Sequence, residues 1–207
     1  MAEPGPEDQP THDALALIEV DSVAVGLRAL DALVKRAPVV VLEANLIEPG
    51  RFLLLHTGGV AEVEEAQAAA LEICEGLVVD ALLLPRVHGA VLQGLRGVER
   101  RGTADELDTI GVIEGSRVAG TLDACDRAMK DADVRLGGLR VAGGLGGRAW
   151  FVVYGAQHDV EAAIEAGRER LIAHGALHRC ELIARPHADM VAWLLRPAPF
   201  SLGTPSR

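Results

Sequence analysis

Apolar positions recur along this chain with two periods, and the switches between them mark out short elements. Leu15–Val20 and Ile110–Ile113 are compact apolar runs that read as strands. Each is followed by a serine, Ser22 or Ser116, of the kind that caps a helix by accepting a backbone N–H of the first turn. Leu27, Leu30, Leu33 and Val34 then share one face at helical spacing, as do Leu122, Cys125, Ala128 and Met129. The spacing predicts amphipathic helices over Val23–Arg36 and Val118–Asp131, with Lys35 and Lys130 in the last turns, where a cation complements the helix dipole. Val39–Glu43 and Phe52–His56 read as strands joined by a turn at Pro49-Gly50, and Gly138–Ala142 and Ala149–Tyr154 as strands joined by a glycine-rich turn. Gly58 and Gly155 lead into second helices, Val60–Cys74 and Asp159–His174. Apolar strands, Val78–Leu84 and Glu181–Ala184, close the two series.

The series are copies of one another, and a repeat constrains the fold more than any single motif. Ile18-Glu19, Val23-Ala24, Leu27, Ala29, Asp31, Lys35, Ala37 and Val39 return 95 residues later as Ile113-Glu114, Val118-Ala119, Leu122, Ala124, Asp126, Lys130, Ala132 and Val134. Gly50-Arg51, Gly58, Val63-Glu64 and Ala66 return at an offset of 97, and Arg86 with His88 at an offset of 99 as Arg185 with His187. Small upward steps in offset are what a duplicated unit with short loop insertions produces. Each copy reads βαββαβ, so the fold class is α+β: two tandem ferredoxin-like units, each a four-stranded antiparallel sheet plus helices. The expected division is an acidic, proline-rich tail over residues 1–13, units over 14–100 and 101–196, and a flexible tail over 197–207.

Composition narrows the function. Aromatic residues are 3% of the chain and the formal charge is −10, so neither base stacking nor phosphate attraction is provided for, and nucleic acid is excluded as a partner. The longest apolar runs, such as Phe52–Leu55, fall far short of the roughly 20 residues that cross a bilayer. The N-terminus has no basic-then-apolar signal, so a cytoplasmic location is expected. Cys74, Cys125 and Cys180 are odd in number and widely spaced, as reduced thiols are.

Taken in order, Ile18-Glu19, Ala32–Ala37, Gly50-Arg51, Gly58–Val60, Val63–Ala66 and Leu84-Pro85-Arg86-Val87-His88 resemble the bacterial microcompartment (BMC) shell domain, and the second copy resembles it again, ending in Ala184-Arg185-Pro186-His187. The resemblance covers about Leu15–Leu95 and Ile110–Leu195, in unpermuted strand order. It implies a structural, non-enzymatic shell protein without a cofactor. Two-domain members of the family form homotrimers with pseudo-sixfold symmetry, which tile edge to edge with shell hexamers and pentamers and can pass small metabolites. By position, the resemblance puts Lys35, Arg86, His88, Lys130, Arg185 and His187 at the tile edge. It puts the hairpin tips at a central pore, lined by Ile47, Glu48, Pro49 and Gly50 from one copy and Gly144, Leu145, Gly146 and Gly147 from the other. Glu48 would form an acidic ring, whereas the glycines offer backbone amides.

Other chemistry is weakly supported. Some tandem shell proteins hold an iron–sulfur cluster with a pore-loop cysteine, but none of the three cysteines falls in either tip, and small buried hydrophobes are expected instead. His174, His178 and Cys180 are of zinc-ligand type but lack a fourth ligand. Gly143–Gly147 lacks the Lys-Ser/Thr of a phosphate loop. The carboxylates fall where solvated helix faces are expected. Two other readings remain open, a metal-cluster redox shell protein and a PII-like trimeric regulator.

Overall fold

The computed structural model describes residues 13–97, 107–142 and 144–194. The order is β1 (Ala14–Val20), α1 (Val23–Arg36), β2 (Val40–Ile47), β3 (Arg51–Gly58), α2 (Val60–Ile73), β4 (Val78–Leu84), α3 (Gly89–Leu95), then β5 (Thr109–Gly115), α4 (Val118–Asp131), β6 (Arg135–Val141), β7 (Ala149–Gly155), α5 (Gln157–Ala173), β8 (Leu177–Ala184) and α6 (Ala188–Leu194). Two four-stranded sheets form, ordered β2-β3-β1-β4 and β6-β7-β5-β8. Each places the first strand of its repeat in the interior of the sheet. Ile18 pairs with Leu54 and Ala81, Ile113 with Phe151 and Cys180, and both sheets carry a register shift at the same repeat position, Glu19/Val20 and Glu114/Gly115. The tails, and the junction expected near residue 100, lie outside the described residues.

The molecule separates into two compact units that are not the two repeats. One comprises the residues up to 46 together with 50–87; the other comprises 47–49 together with the residues from 88 onward. Helix α3 follows the first repeat in sequence and belongs to the second unit. Within that unit it packs on β6 and α4. A Cβ built on Gly94 would stand 2.8 Å from Leu136 Cδ2 and 3.2 Å from Leu139 Cβ, so glycine there permits the close approach.

In the first unit, α1 and α2 cover one sheet face through Ile18, Val20, Ala29, Leu33, Phe52, Leu54, Ala66 and Ala70. Ser22 caps α1 as expected, accepting from the Val25 N–H at 3.3 Å. The apolar stripe of α1 is only partly core: Leu33 is buried, but Leu27 is 53% and Val34 48% exposed. Their repeat counterparts on α4, Leu122 and Met129, are 0% and 7% exposed. On β3, His56 is 1% exposed and neither ring nitrogen has a hydrogen-bond partner of good geometry. Burial, only partly opposed by the nearby Val63 backbone, lowers its pKa to about 4. The second repeat has Val153 at this position.

Several expectations change in detail. Helices α3 and α6 extend each βαββαβ unit by one element. Ser116 does not cap α4: Arg117 occupies the cap position, and the Ser116 hydroxyl donates to the Ala176 carbonyl at 3.2 Å. Strands expected at Ile110–Ile113, Gly138–Ala142 and Glu181–Ala184 run over Thr109–Gly115, Arg135–Val141 and Leu177–Ala184, because ladder pairing continues past the purely apolar residues. Cys180 is therefore inside a strand. Two carboxylates expected on a solvated face, Asp123 and Asp126 of α4, are each 5% exposed.

Candidate functional site

The two hairpin tips have opposite backbone chemistry. The first tip is short: Ile47, the last residue of β2, is buried, Glu48 and Pro49 are exposed and joined by a cis peptide bond, and Gly50 has φ +95°, a conformation that favours glycine. The second tip is a wound loop closed by the Ala142 N–H donating to Arg148 O at 3.0 Å, with a turn from Leu145 N–H to Ala142 O at 3.2 Å. Gly144, Gly146 and Gly147 all have positive φ. Gly143 lies outside the described residues.

Within the second unit the two tips meet. The Gly146 N–H donates to the Glu48 carboxylate at 3.0 Å, and a Cβ on Gly147 would stand 3.3 Å from the Glu48 carbonyl oxygen. The residues expected to line one opening are thus brought together in part: Glu48 sits on the glycine loop and occupies one of the amides that an anion could have used. The Gly146–Glu48 hydrogen bond is exposed, so water competes with it.

The expected edge residues keep their repeat equivalence. Lys35 pairs with Asp31 at 2.7 Å and Lys130 with Asp126 at 2.5 Å, both one helical turn apart. Their surroundings differ. The Asp31 side chain is 61% exposed, whereas that of Asp126 is 7% exposed and also accepts the His88 backbone N–H at 2.7 Å. The His88 ring accepts from the Ala90 N–H at 3.3 Å and so caps α3; the His187 ring accepts from the Asp189 N–H at 3.3 Å and begins α6 in the same way. Arg86 and Arg185 are exposed, and Arg185 takes positive φ while its N–H donates to Asp108 O at 2.8 Å.

An ion cluster around the buried carboxylate of Asp123 in the second unit was not legible beforehand. Asp123 accepts from Arg170 through Nε at 2.9 Å and through Nη2, and its Oδ2 lies 2.7 Å from His174 Nε2. The adjoining cleft, about 400 Å³, is lined by Asp123, Asp126, Arg127, Lys130, Glu169 and Arg170, three acids against three bases. Because the first repeat has Arg28 and Ile73 where the second has Asp123 and Arg170, self-comparison conceals this cluster.

His174 is therefore held by Asp123. His178 lies 3.3 Å from Arg148 Nη1 and 3.9 Å from Glu114, and Cys180 is in β8, so the zinc-type trio is spread over separate partners. Among the described residues no group of three or more His, Cys, Asp or Glu side chains is placed to hold a metal ion. All three thiols lie away from the hairpin tips, which gives an iron–sulfur cluster on those loops no protein ligand of the usual kind. Burial raises the pKa of Cys74 and Cys125, and for Cys125 the nearby Asp126 adds to the shift. Burial raises the pKa of the half-buried Cys180 as well, so native protein at pH 8 should consume at most one equivalent of iodoacetamide, slowly and at Cys180, with Cys125 alkylated only after unfolding. Mass mapping of the labelled cysteines checks this, and fast native labelling of Cys125 would contradict its burial.

Doubled four-stranded units with paired hairpin tips define a class. The BMC domain matches twice, over residues 14–87 and 109–186, so the chain belongs to the BMC-domain family as a tandem-domain shell protein. It is 35% identical over 177 residues to the bacterial microcompartment shell protein PduT of Citrobacter freundii, covering 86% of this chain and 95% of that protein. The crystal structure of a microcompartment protein from Desulfitobacterium hafniense superimposes with a TM-score of 0.80 at 30% identity, over 87% of this chain and 98% of that one. A fused, permuted hexameric shell protein from the RMM microcompartment gives a TM-score of 0.53 at 20% identity, over 76% of this chain and 81% of that one, a likeness of fold alone. No helix among the described residues is long and apolar enough to cross a membrane.

Proposed function

We propose that three copies of this chain close into a pseudo-hexagonal tile that forms part of a microcompartment facet and performs no catalysis. The observation that carries this reading is the doubled BMC domain in one chain, over nearly the full length of a shell-protein relative. Six units around an axis give a closed ring with heterologous contacts. Exposed Leu27 and Val34, at positions buried in the other repeat, give such a ring a surface to cover.

Lys35, Arg86, His88, Lys130, Arg185 and His187 serve the outer edge, where the tile meets other shell proteins. Ile47, Glu48, Pro49 and Gly50, with Gly144, Leu145, Gly146 and Gly147, border a central opening for small metabolites. Light scattering coupled to size exclusion should give a mass of three chains, and electron microscopy of mixtures with hexameric shell proteins should show sheets. A stable single chain would remove this reading.

A further inference from the structure

We propose that the groove between α2 and β4 of the first unit is a docking site for another protein, which enters it as a basic amphipathic helix. The groove, about 350 Å³, is lined by Gln67, Ala68 and Leu71 of α2 and by Ala81, Leu82 and Leu83 of β4, with Glu64 beside them. Strand β4 is an edge strand, paired with β1 on one side. Ala81 and Leu83 lie opposite Ile18 and Ala16, which pack beneath the helices, so both turn to the face that carries α2. The helix does not cover them: Ala68 and Ala81 are exposed, and Leu71 and Leu83 are only partly buried. Gln67 is fixed by its Nε2, which donates to the Leu17 and Leu82 carbonyls at 3.1 and 3.3 Å, while its Oε1 receives no hydrogen bond among the described residues.

The second repeat fills the same place with charge. At the register of Gln67, Ala68 and Leu71 it has Ile164, Glu165 and Arg168, and at that of Ala81 and Leu82 it has Cys180 and Glu181. Arg168 pairs with Glu165 at 3.3 Å and Arg179 with Glu181 at 2.6 Å. The fold therefore does not require an apolar residue at position 71, since an arginine serves at the same position of the copy. Leucine there, between two alanines, leaves an apolar strip open to water.

The charge beside the strip selects the occupant. Helix α2 carries Glu62, Glu64, Glu65 and Glu72, is followed by Glu75, and has no Lys or Arg. Glu65 is paired with Arg36 at 3.4 Å. Glu64, Ala68 and Glu72 form one row along the groove at intervals of four residues, which sets the two exposed carboxylates about 12 Å apart along the axis. The complement is a helix with an aliphatic stripe bordered by Lys or Arg two turns apart. A second copy of this chain is a poor occupant, because it would bring the same glutamates face to face.

The probe is a fluorescein-labelled synthetic peptide as long as α2, with a stripe of leucines at helical spacing bordered by lysines, titrated with the full chain and followed by anisotropy. Saturable binding is expected, with a Kd below about 100 μM. Ala68→Glu with Leu71→Arg, the residues of the second repeat, should weaken it by about tenfold or more. Glu64→Gln with Glu72→Gln should weaken it several-fold and flatten its salt dependence, whereas Glu161→Gln should leave it unchanged. A peptide with the same lysines but serines for leucines should not bind. Equal binding by that peptide would reveal mere attraction to an acidic surface and overturn the proposal, as would full affinity in the Ala68→Glu, Leu71→Arg variant. Should circular dichroism show that this variant does not fold, the paired glutamine variant, which alters exposed side chains alone, decides in its place: unchanged affinity there overturns the proposal too.

Discussion

Lowering the pH from 7 to 4 should cost this protein about 3 kcal/mol of stability through His56 alone, and His56→Val should abolish that part of the loss. The folded state holds the imidazole at a pKa near 4 because its charged form would be buried on β3 without a partner. In the unfolded chain it titrates near its ordinary value of 6.5. Between these values the unfolded state binds the extra proton. Stability is therefore full above about pH 6.5 and falls as the pH drops toward 4. Urea unfolding at fixed protein concentration across this window, for both proteins, isolates the difference. Valine is the natural replacement because Val153 fills the same repeat position at 0% exposure. Parallel pH profiles for the two proteins would show that His56 is protonated as readily folded as unfolded.

Gly26→Ala should destabilise the first unit by about 2–3 kcal/mol, the upper part of the range for overpacking a core. Alanine ordinarily stabilises a helix interior by roughly 1 kcal/mol over glycine. Here the added Cβ would lie 2.4 Å from Phe52 Cδ1 and 2.7 Å from its Cβ and Cγ, inside α1 where it packs on β3. A ring fixed in a buried position yields little, so the clash outweighs the propensity. The second repeat has Thr121 and Ala149 at these two positions, with the bulk moved to the helix. Phe52→Ala should then relieve much of the strain from Gly26→Ala, giving a favourable coupling in a double-mutant cycle monitored by denaturant midpoint. Additive losses would mean that the two residues do not share space.

Element order and fold class were legible because the apolar spacing appears twice, and each copy checks the other. Strand ends were less so: Thr109 and Gly115 extend β5 through backbone pairing, which side-chain hydrophobicity does not report. Helices α3 and α6 have short apolar runs of seven residues, too brief for a periodic signal, although the histidine before each was a usable cap cue. At the candidate site, the two tips and the Lys35 and Lys130 positions followed from repeat alignment. The carboxylates did not. Asp31 and Asp126 occupy the same sequence position, yet one is exposed and the other buried under His88, a difference created by tertiary cover. Asp123 and Arg170 escaped notice because each is an ordinary polar residue until α4 and α5 pack together, and His174 stood out only as one of a zinc-type trio.

The assignment of α3 to the second unit bears on how such a chain can be divided. A gene cut between the repeats would send this helix away with the wrong fragment, leaving β6 and α4 bare on one product and an orphan helix on the other. The peptide linkage across the junction therefore acts like a frozen exchange of parts, in which one half lends its terminal segment to the other. Fragments intended for complementation, or single repeats intended as stand-alone building blocks, are better cut before His88, so that the borrowed segment travels with the unit that uses it.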